Sequence, residues 1–159
     1  MNYFELFDIP VSIQLDSKWL TTQYVALQKK FHPDFFGQAS IEEQSEVMEK
    51  SAAINKAFKI FQKEEETIKY ILQLKGLLQE EEKYQLPPDF LMEVMELNES
   101  LSDNSANEVA VFEKEIYEKV RPIIEGYNDE TVTKEDLLTL KDYYFRKKYL
   151  QRILERMAD

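Results

Sequence analysis

Pro33 narrows the folds open to this chain more than any other residue. It falls between two stretches whose apolar residues recur at helical spacing. Upstream, Leu20, Tyr24, Leu27 and Phe31 step by four, three and four and make one apolar face. Downstream, a second face runs through Val47, Ser51, Ile54, Phe58 and Phe61. Ser40-Ile41-Glu42-Glu43 opens it as a capping box, with Ser40 as the cap and Glu43 reaching back. Proline crowds the residue before it out of helical geometry, so the first helix should end at His32. Gly37 helps turn the chain before Ser40. The pattern predicts a helical hairpin that displays His32-Pro33-Asp34, with the chain's only histidine, at its loop.

Around this hairpin the chain continues as helices. Residues 3–7 predict a short helix whose Tyr3, Phe4, Leu6 and Phe7 are too apolar to stay exposed. Ile9-Pro10-Val11 ends it, and Asp16 is placed to cap the helix that begins at Ser17. Trp19 points away from the Leu20 stripe and is expected to be a core residue against the first helix. The third helix should reach about Gln62, where Lys63-Glu64-Glu65-Glu66 interrupts the pattern. Ile68, Ile71, Leu72 and Leu74 then mark a fourth helix, expected at the junction of two halves and capped by Gly76.

The domain reading is residues 1–76, a connector over 77–87 and a bundle over 88–159. Pro87-Pro88 gives the bundle a rigid start. Its three helices are expected at about 88–102, 105–125 and 133–157, with Thr133 capping the last and short loops making the bundle antiparallel. Pro122 sits inside the pattern of Phe112, Ile116, Val120 and Ile123, so a kink or early break is expected near Arg121.

Three glycines and five prolines in 159 residues argue against a turn-rich sandwich or barrel, and helix formers dominate, so the expected class is all-α. The absence of cysteine removes disulfides, thiolate catalysis and thiolate metal sites. No segment approaches the roughly 18 consecutive apolar residues of a membrane helix. With no basic leader ahead of Asn2-Tyr3-Phe4, a cytoplasmic location is expected. The net charge of −11 is uneven: residues 1–75 hold 9 Lys/Arg against 11 Asp/Glu, the remainder 11 against 20. Such a balance lacks the basic footprint of a nucleic-acid binder.

Two helices of the expected bundle carry more apolar residues than one face can hold. Phe90, Val94, Leu97 and Leu101 form a core stripe, whereas Leu91, Met92 and Met95 point elsewhere at about 100° per residue. In the last helix Leu140, Tyr143, Leu150, Leu154 and Met157 supply the core stripe, leaving Leu138, Phe145 and Tyr149 on another face. Packing against a third element would bury the second stripes. Left exposed, they would form a Met-containing patch suited to a partner. Catalysis is not expected. Proline fixes the directions of His32 and Asp34, there is no second histidine, and no nucleophile or phosphate-loop motif occurs. No metal site or cofactor is expected.

A helical hairpin with His-Pro-Asp at its loop resembles a J-domain, the module that activates DnaK-type chaperone ATPases. Tyr3-Phe4-Glu5-Leu6-Phe7 is similar to its first helix and Ile54-Asn55-Lys56-Ala57-Phe58 to its third. Further on, the run from Phe90 to Glu99 resembles HscB, the co-chaperone family of iron–sulfur cluster biogenesis. The resemblance implies two partners, an HscA-like chaperone and an IscU-like scaffold protein. The chaperone would be met by His32, Pro33 and Asp34, with Lys29 and Lys30 as the basic face of the second helix. On their own, these two lysines also read as solvated charges favourable at a helix C-terminus. The scaffold would be met by Leu91, Met92, Met95 and Phe145. Many J-domains follow His-Pro-Asp with lysine, whereas Phe35 and Phe36 follow here; Phe36 is expected to anchor the loop on the hairpin. A J-protein serving another client and a purely structural helical protein are the alternatives.

Overall fold

The computed structural model describes residues 1–99 and 105–158, and it is all-helical over them. In chain order the helices are α1 (Tyr3–Leu6), α2 (Ser17–Phe31), a 3-10 turn (Pro33–Phe36), α3 (Ile41–Phe61), α4 (Glu64–Leu74), α5 (Pro88–Glu99), α6 (Ser105–Glu125) and α7 (Lys134–Ala158). They form two compact units, Met1–Tyr70 and Ile71–Asp159, with the division inside α4.

In the first unit α2 and α3 form the hairpin, and α1 and the 3-10 turn pack on α3. The caps act as the residue types require. Asn2 accepts the Glu5 N–H, Asp16 accepts those of Lys18 and Trp19, and Ser40 accepts that of Glu43. Phe4, Phe7, Leu20, Ile54, Ala57, Phe61 and Ile68 fill the core. Phe4 lies 4.8 Å from Phe61, and Tyr3 stacks on Tyr70 at 4.8 Å while its backbone N–H donates to the Tyr70 hydroxyl at 2.8 Å. Burial raises the Tyr70 phenol above its ordinary value. Asp8 follows α1 at φ 52°, in the left-handed region that Asp tolerates better than most side chains.

Trp19 is not a core residue: it stays 46% exposed, because the core side of its helix is filled by Leu20 and by Gln23, whose amide donates to the Phe7 carbonyl. The third helix ends at Phe61 with Gln62 as its cap, close to the expected end. The interruption is confined to Gln62 and Lys63 and does not include the acids at 64–66. They form the first turn of α4, where their charge suits the positive end of the helix dipole. Thr67, fully buried, donates to the Ile60 and Lys63 carbonyls and ties α4 to the end of α3. Gly76, at φ 71°, closes α4 as expected. Its N–H donates to the Gln73 carbonyl and that of Leu77 to the Leu72 carbonyl, the paired bonds of a Schellman cap.

In the second unit α5, α6 and α7 make an antiparallel bundle, α6 packing against both neighbours. Its core includes Phe90, Val94, Val109, Ile116, Val120, Ile124, Leu137, Leu140, Tyr143 and Leu150. Thr133 caps α7 by accepting the Asp136 N–H at 3.1 Å. Helix α6 shows no break at Arg121. It runs through Pro122 to Glu125, although proline lacks the N–H that would bond the Glu118 carbonyl; Val120 and Ile124, buried on either side, hold this turn in the bundle core. Of the expected core stripes, Phe90, Val94, Leu140, Tyr143 and Leu150 are buried, while Leu97 and Leu154 are half-buried. Leu101 and the side chain of Met157 lie outside the described residues. Leu137, Tyr144 and Ile153 join the core from a stripe wider than the one read from spacing.

Candidate functional site: an exposed loop and an aromatic cleft

The loop follows directly from the chemistry of its three residues. His32 has extended backbone, φ −68° and ψ 130°, the conformation that the next proline imposes; it closes α2 and caps the 3-10 turn. Its Nδ1 accepts the Asp34 N–H at 3.2 Å, so the neutral ring carries its proton on Nε2. The Asp34 carboxylate lies 3.5 Å from the same Nδ1 and is 85% exposed. His32, Pro33 and Asp34 thus form one rigid turn presenting a single carboxylate.

Lys29 and Lys30 occupy the last turn of α2, both exposed. Lys30 lies over the Phe31 ring with Nζ 5.3 Å from its centroid, and Lys50 of α3 stands over the same ring at 5.3 Å. Phe36 is half-buried beside Pro33, Gln44 and Met48 and anchors the turn. Phe35 stays 69% exposed, its ring edge toward His32.

Sequence reasoning missed Gln44. From the first turns of α3 its amide reaches the carbonyls of Phe36, Gly37 and Ala39 at 3.2, 3.3 and 3.2 Å, clamping the loop to the hairpin. A glutamine in a polar helix turn gives no pattern that would reveal this. Below the loop, Tyr24 stacks on Phe58 at 4.0 Å, and the Tyr24 hydroxyl and Gln28 amide both donate to Asn55 Oδ1.

The second region lies on α5 and α7. Met92 and Met95 are 63% and 55% exposed on the side of α5 turned away from Phe90 and Val94. Leu91 is half-buried and shares a cleft of about 720 Å³ with Phe145. The four expected patch residues are therefore divided: Leu91 and Phe145 line the cleft, and the two methionines stand on open helix surface.

The segment before α5 builds the cleft's other wall, through Tyr84 and Leu86, with Pro88 at the start of the helix. Tyr84 stacks on Phe145 at 4.6 Å and 7°, and its hydroxyl donates to Asp142 Oδ1 at 2.8 Å. Burial, followed by this bond to a carboxylate, pushes the Tyr84 phenol up to about 12. Asp142 also takes Arg146 at 2.6 Å, and the Arg146 guanidinium lies 5.0 Å from the Phe90 centroid. Glu82 pairs with Lys141 at 2.7 Å, and the lysine's hydrogen bond holds its carboxyl below the usual range. Tyr84 was missed as a site residue because its polar neighbours mark a connector; a lone aromatic among charges was its only signal.

Among the described residues no group of three or more His, Cys, Asp or Glu side chains is placed to hold a metal, and no helix is long and apolar enough to cross a membrane.

A family model described as the HSCB C-terminal oligomerisation domain matches residues 86–158. The co-chaperone protein HscB homolog of Haemophilus ducreyi is 35% identical over 160 residues, covering 94% of this chain and 92% of that protein. The homolog of Vibrio cholerae is 41% identical over 107 residues, and there the match spans 67% of this chain but only 63% of the relative. The structure of chaperone HscB from Vibrio cholerae matches with a TM-score of 0.71 and 28% identity over 99% of this chain and 96% of that one. Human co-chaperone HscB matches with a TM-score of 0.80 and 28% identity, over 99% and 81%.

A helical hairpin with an exposed His-Pro-Asp turn, followed by a helical bundle and shared along the chain with proteins named co-chaperones, defines a J-domain protein. The chain belongs to the HscB family.

Proposed function

We propose that this chain is a two-ended, non-enzymatic co-chaperone of iron–sulfur cluster assembly. The loop end stimulates ATP hydrolysis by an HscA-like DnaK-type chaperone; the bundle end brings that chaperone an IscU-like scaffold protein. Membership of the HscB family supports the pairing of the two roles. The observation that carries the reading is the Asp34 carboxylate, 85% exposed on a turn held by His32, Pro33 and Gln44. An exposed, pre-oriented carboxylate is suited to an arginine of the ATPase, a charge-assisted contact that strengthens when water leaves. Lys29 and Lys30 add positive charge on the adjoining turn of α2. The scaffold is met by Leu91, Met92, Met95 and Phe145, where exposed methionines adapt to an irregular partner. ATP and the cluster stay with the partners. The functional division places 1–76 with the chaperone and 88–159 with the scaffold, joined through 77–87, and the site of action is the cytoplasm.

Asp34→Asn tests the loop. It preserves size and fold but removes the charge, and losing one partner of a buried charged contact costs about 2–5 kcal/mol. Stimulation of the chaperone's ATPase should therefore fall by more than tenfold while the melting curve stays close to wild type. A folded Asp34→Asn protein that stimulates fully overturns the assignment.

A further inference from the structure

Within an acidic half-chain the cationic side chains are not evenly spread. Between Lys141 and Arg156 six cations stand against two acids. Lys141 is committed to Glu82 and Arg146 to Asp142. Arg152 projects from α7 at the rim of the cleft, and Lys83 stands on the facing segment; neither has an ion-pair partner among the described residues. Glu82, the one acid lining the cleft, is already neutralised by Lys141. The walls are apolar and aromatic, made by Tyr84, Leu91, Phe145 and Tyr149. The Tyr84 hydroxyl is turned onto Asp142, which leaves its ring stacked on Phe145.

We propose that this cleft is a docking site for a short acidic segment of the scaffold protein, in which an apolar side chain enters between Tyr84 and Tyr149 and a flanking carboxylate pairs with Arg152 and Lys83. The inference rests on the scaffold reading above and adds to it a charge-selective pocket beside the methionine surface. Charge complementarity selects the occupant. Two uncommitted cations over an aromatic floor favour an apolar residue next to Asp or Glu, and they disfavour a basic segment. Arginine is suited to bidentate pairing with such a carboxylate.

The test titrates labelled, cluster-free scaffold protein into full-length chain, wild type and variants, from low to moderate salt. Lys83→Glu/Arg152→Glu should weaken binding at low salt by ten- to a hundredfold and flatten its salt dependence. Lys83→Gln/Arg152→Gln should fall between. Lys119→Glu, an exposed reversal on α6, should bind within threefold of wild type and controls for net charge. The cleft proposal is overturned if the double reversal binds like wild type with the same salt slope while Met92→Ala/Met95→Ala weakens binding; the scaffold reading then stands alone. If neither variant weakens binding, or wild type does not bind, the scaffold reading falls and takes this one with it. Sedimentation at the same concentrations covers a different occupant. If wild type self-associates and the double reversal abolishes this without changing scaffold affinity, the cleft joins two copies of the chain and the proposal is wrong.

Discussion

The two candidate sites are built in opposite ways. The loop is made of consecutive residues, and its central interaction, the Asp34 N–H to His32 Nδ1, spans two positions. The cleft is assembled from Tyr84, Leu91 and Phe145, so its defining ring stack joins residues sixty-one positions apart. The loop offers one charge with almost no apolar area beyond Phe35, whereas the α5–α7 surface offers apolar area with charge only at its rim. Under the proposed function, the contrast corresponds to two kinds of recognition. A contiguous turn can present one well-aimed charge, where a single-atom change is decisive. A composite surface distributes its contribution, so single changes there should be graded and several are needed to abolish binding.

Removing the two exposed methionines should sharpen this contrast most. Met92→Ala/Met95→Ala deletes side chains that pack on little in the free protein, so the melting temperature should move only slightly. If a partner covers them, each is worth up to about 1.5–3 kcal/mol when fully buried, and scaffold affinity should drop by roughly one to three powers of ten. Calorimetric titration paired with a melting curve reads both. A large loss of stability would show instead that the methionines are core. Phe145 is a less clean probe, because its stack on Tyr84 makes stability and binding fall together.

A smaller effect should follow at the other site from a residue outside the motif. Gln44→Met keeps length and helix propensity but removes the donor to three loop carbonyls. The cost in stability should be about 1 kcal/mol. ATPase stimulation should fall a few-fold, well short of the loss expected from Asp34→Asn. An unchanged stimulation curve would mean that His32 and Pro33 hold the turn unaided.

This division also explains what could be read in the residues beforehand. The caps at Asp16, Ser40 and Thr133 and the Gly76 closure were legible because each depends on neighbours within four or five positions, and the hairpin because its two apolar faces and the loop between them are each local patterns. Trp19 was misread because helical phase places a residue on a side of its own helix without saying whether another element covers that side. At Pro122 the expected early break does not occur: proline's φ fits a helix and its cost falls on one bond to the preceding turn, against which the buried Val120 and Ile124 hold the helix together. The methionine surface was legible as surplus hydrophobicity. Tyr84 and Gln44 were not, since nothing local ties a connector tyrosine to α7 or a helix glutamine to three carbonyls.

The smallest predicted effect tests the cleft wall through pH. The folded-state Tyr84 phenol is raised, to about 12, above the ordinary value of 10.0, so between those values the unfolded chain has lost a proton that the folded chain retains. Its contribution to stability is therefore fully present below pH 10 and is lost as pH rises toward 12. The stability difference between wild type and Tyr84→Phe, followed by denaturant unfolding, should shrink across that window. A difference that stays flat or grows would contradict the burial and the Asp142 bond assigned to this tyrosine.

The separation of the two roles is tested most directly by the ATPase rate of an HscA-like chaperone, titrated with wild type, Asp34→Asn and Met92→Ala/Met95→Ala, each with and without scaffold protein. The account predicts that Asp34→Asn stimulates poorly in both conditions while still binding scaffold with wild-type affinity. The methionine variant should give the wild-type rate without scaffold and lose the increment that scaffold adds. Full stimulation by a folded Asp34→Asn protein, or loss of scaffold-free stimulation in the methionine variant, would contradict it.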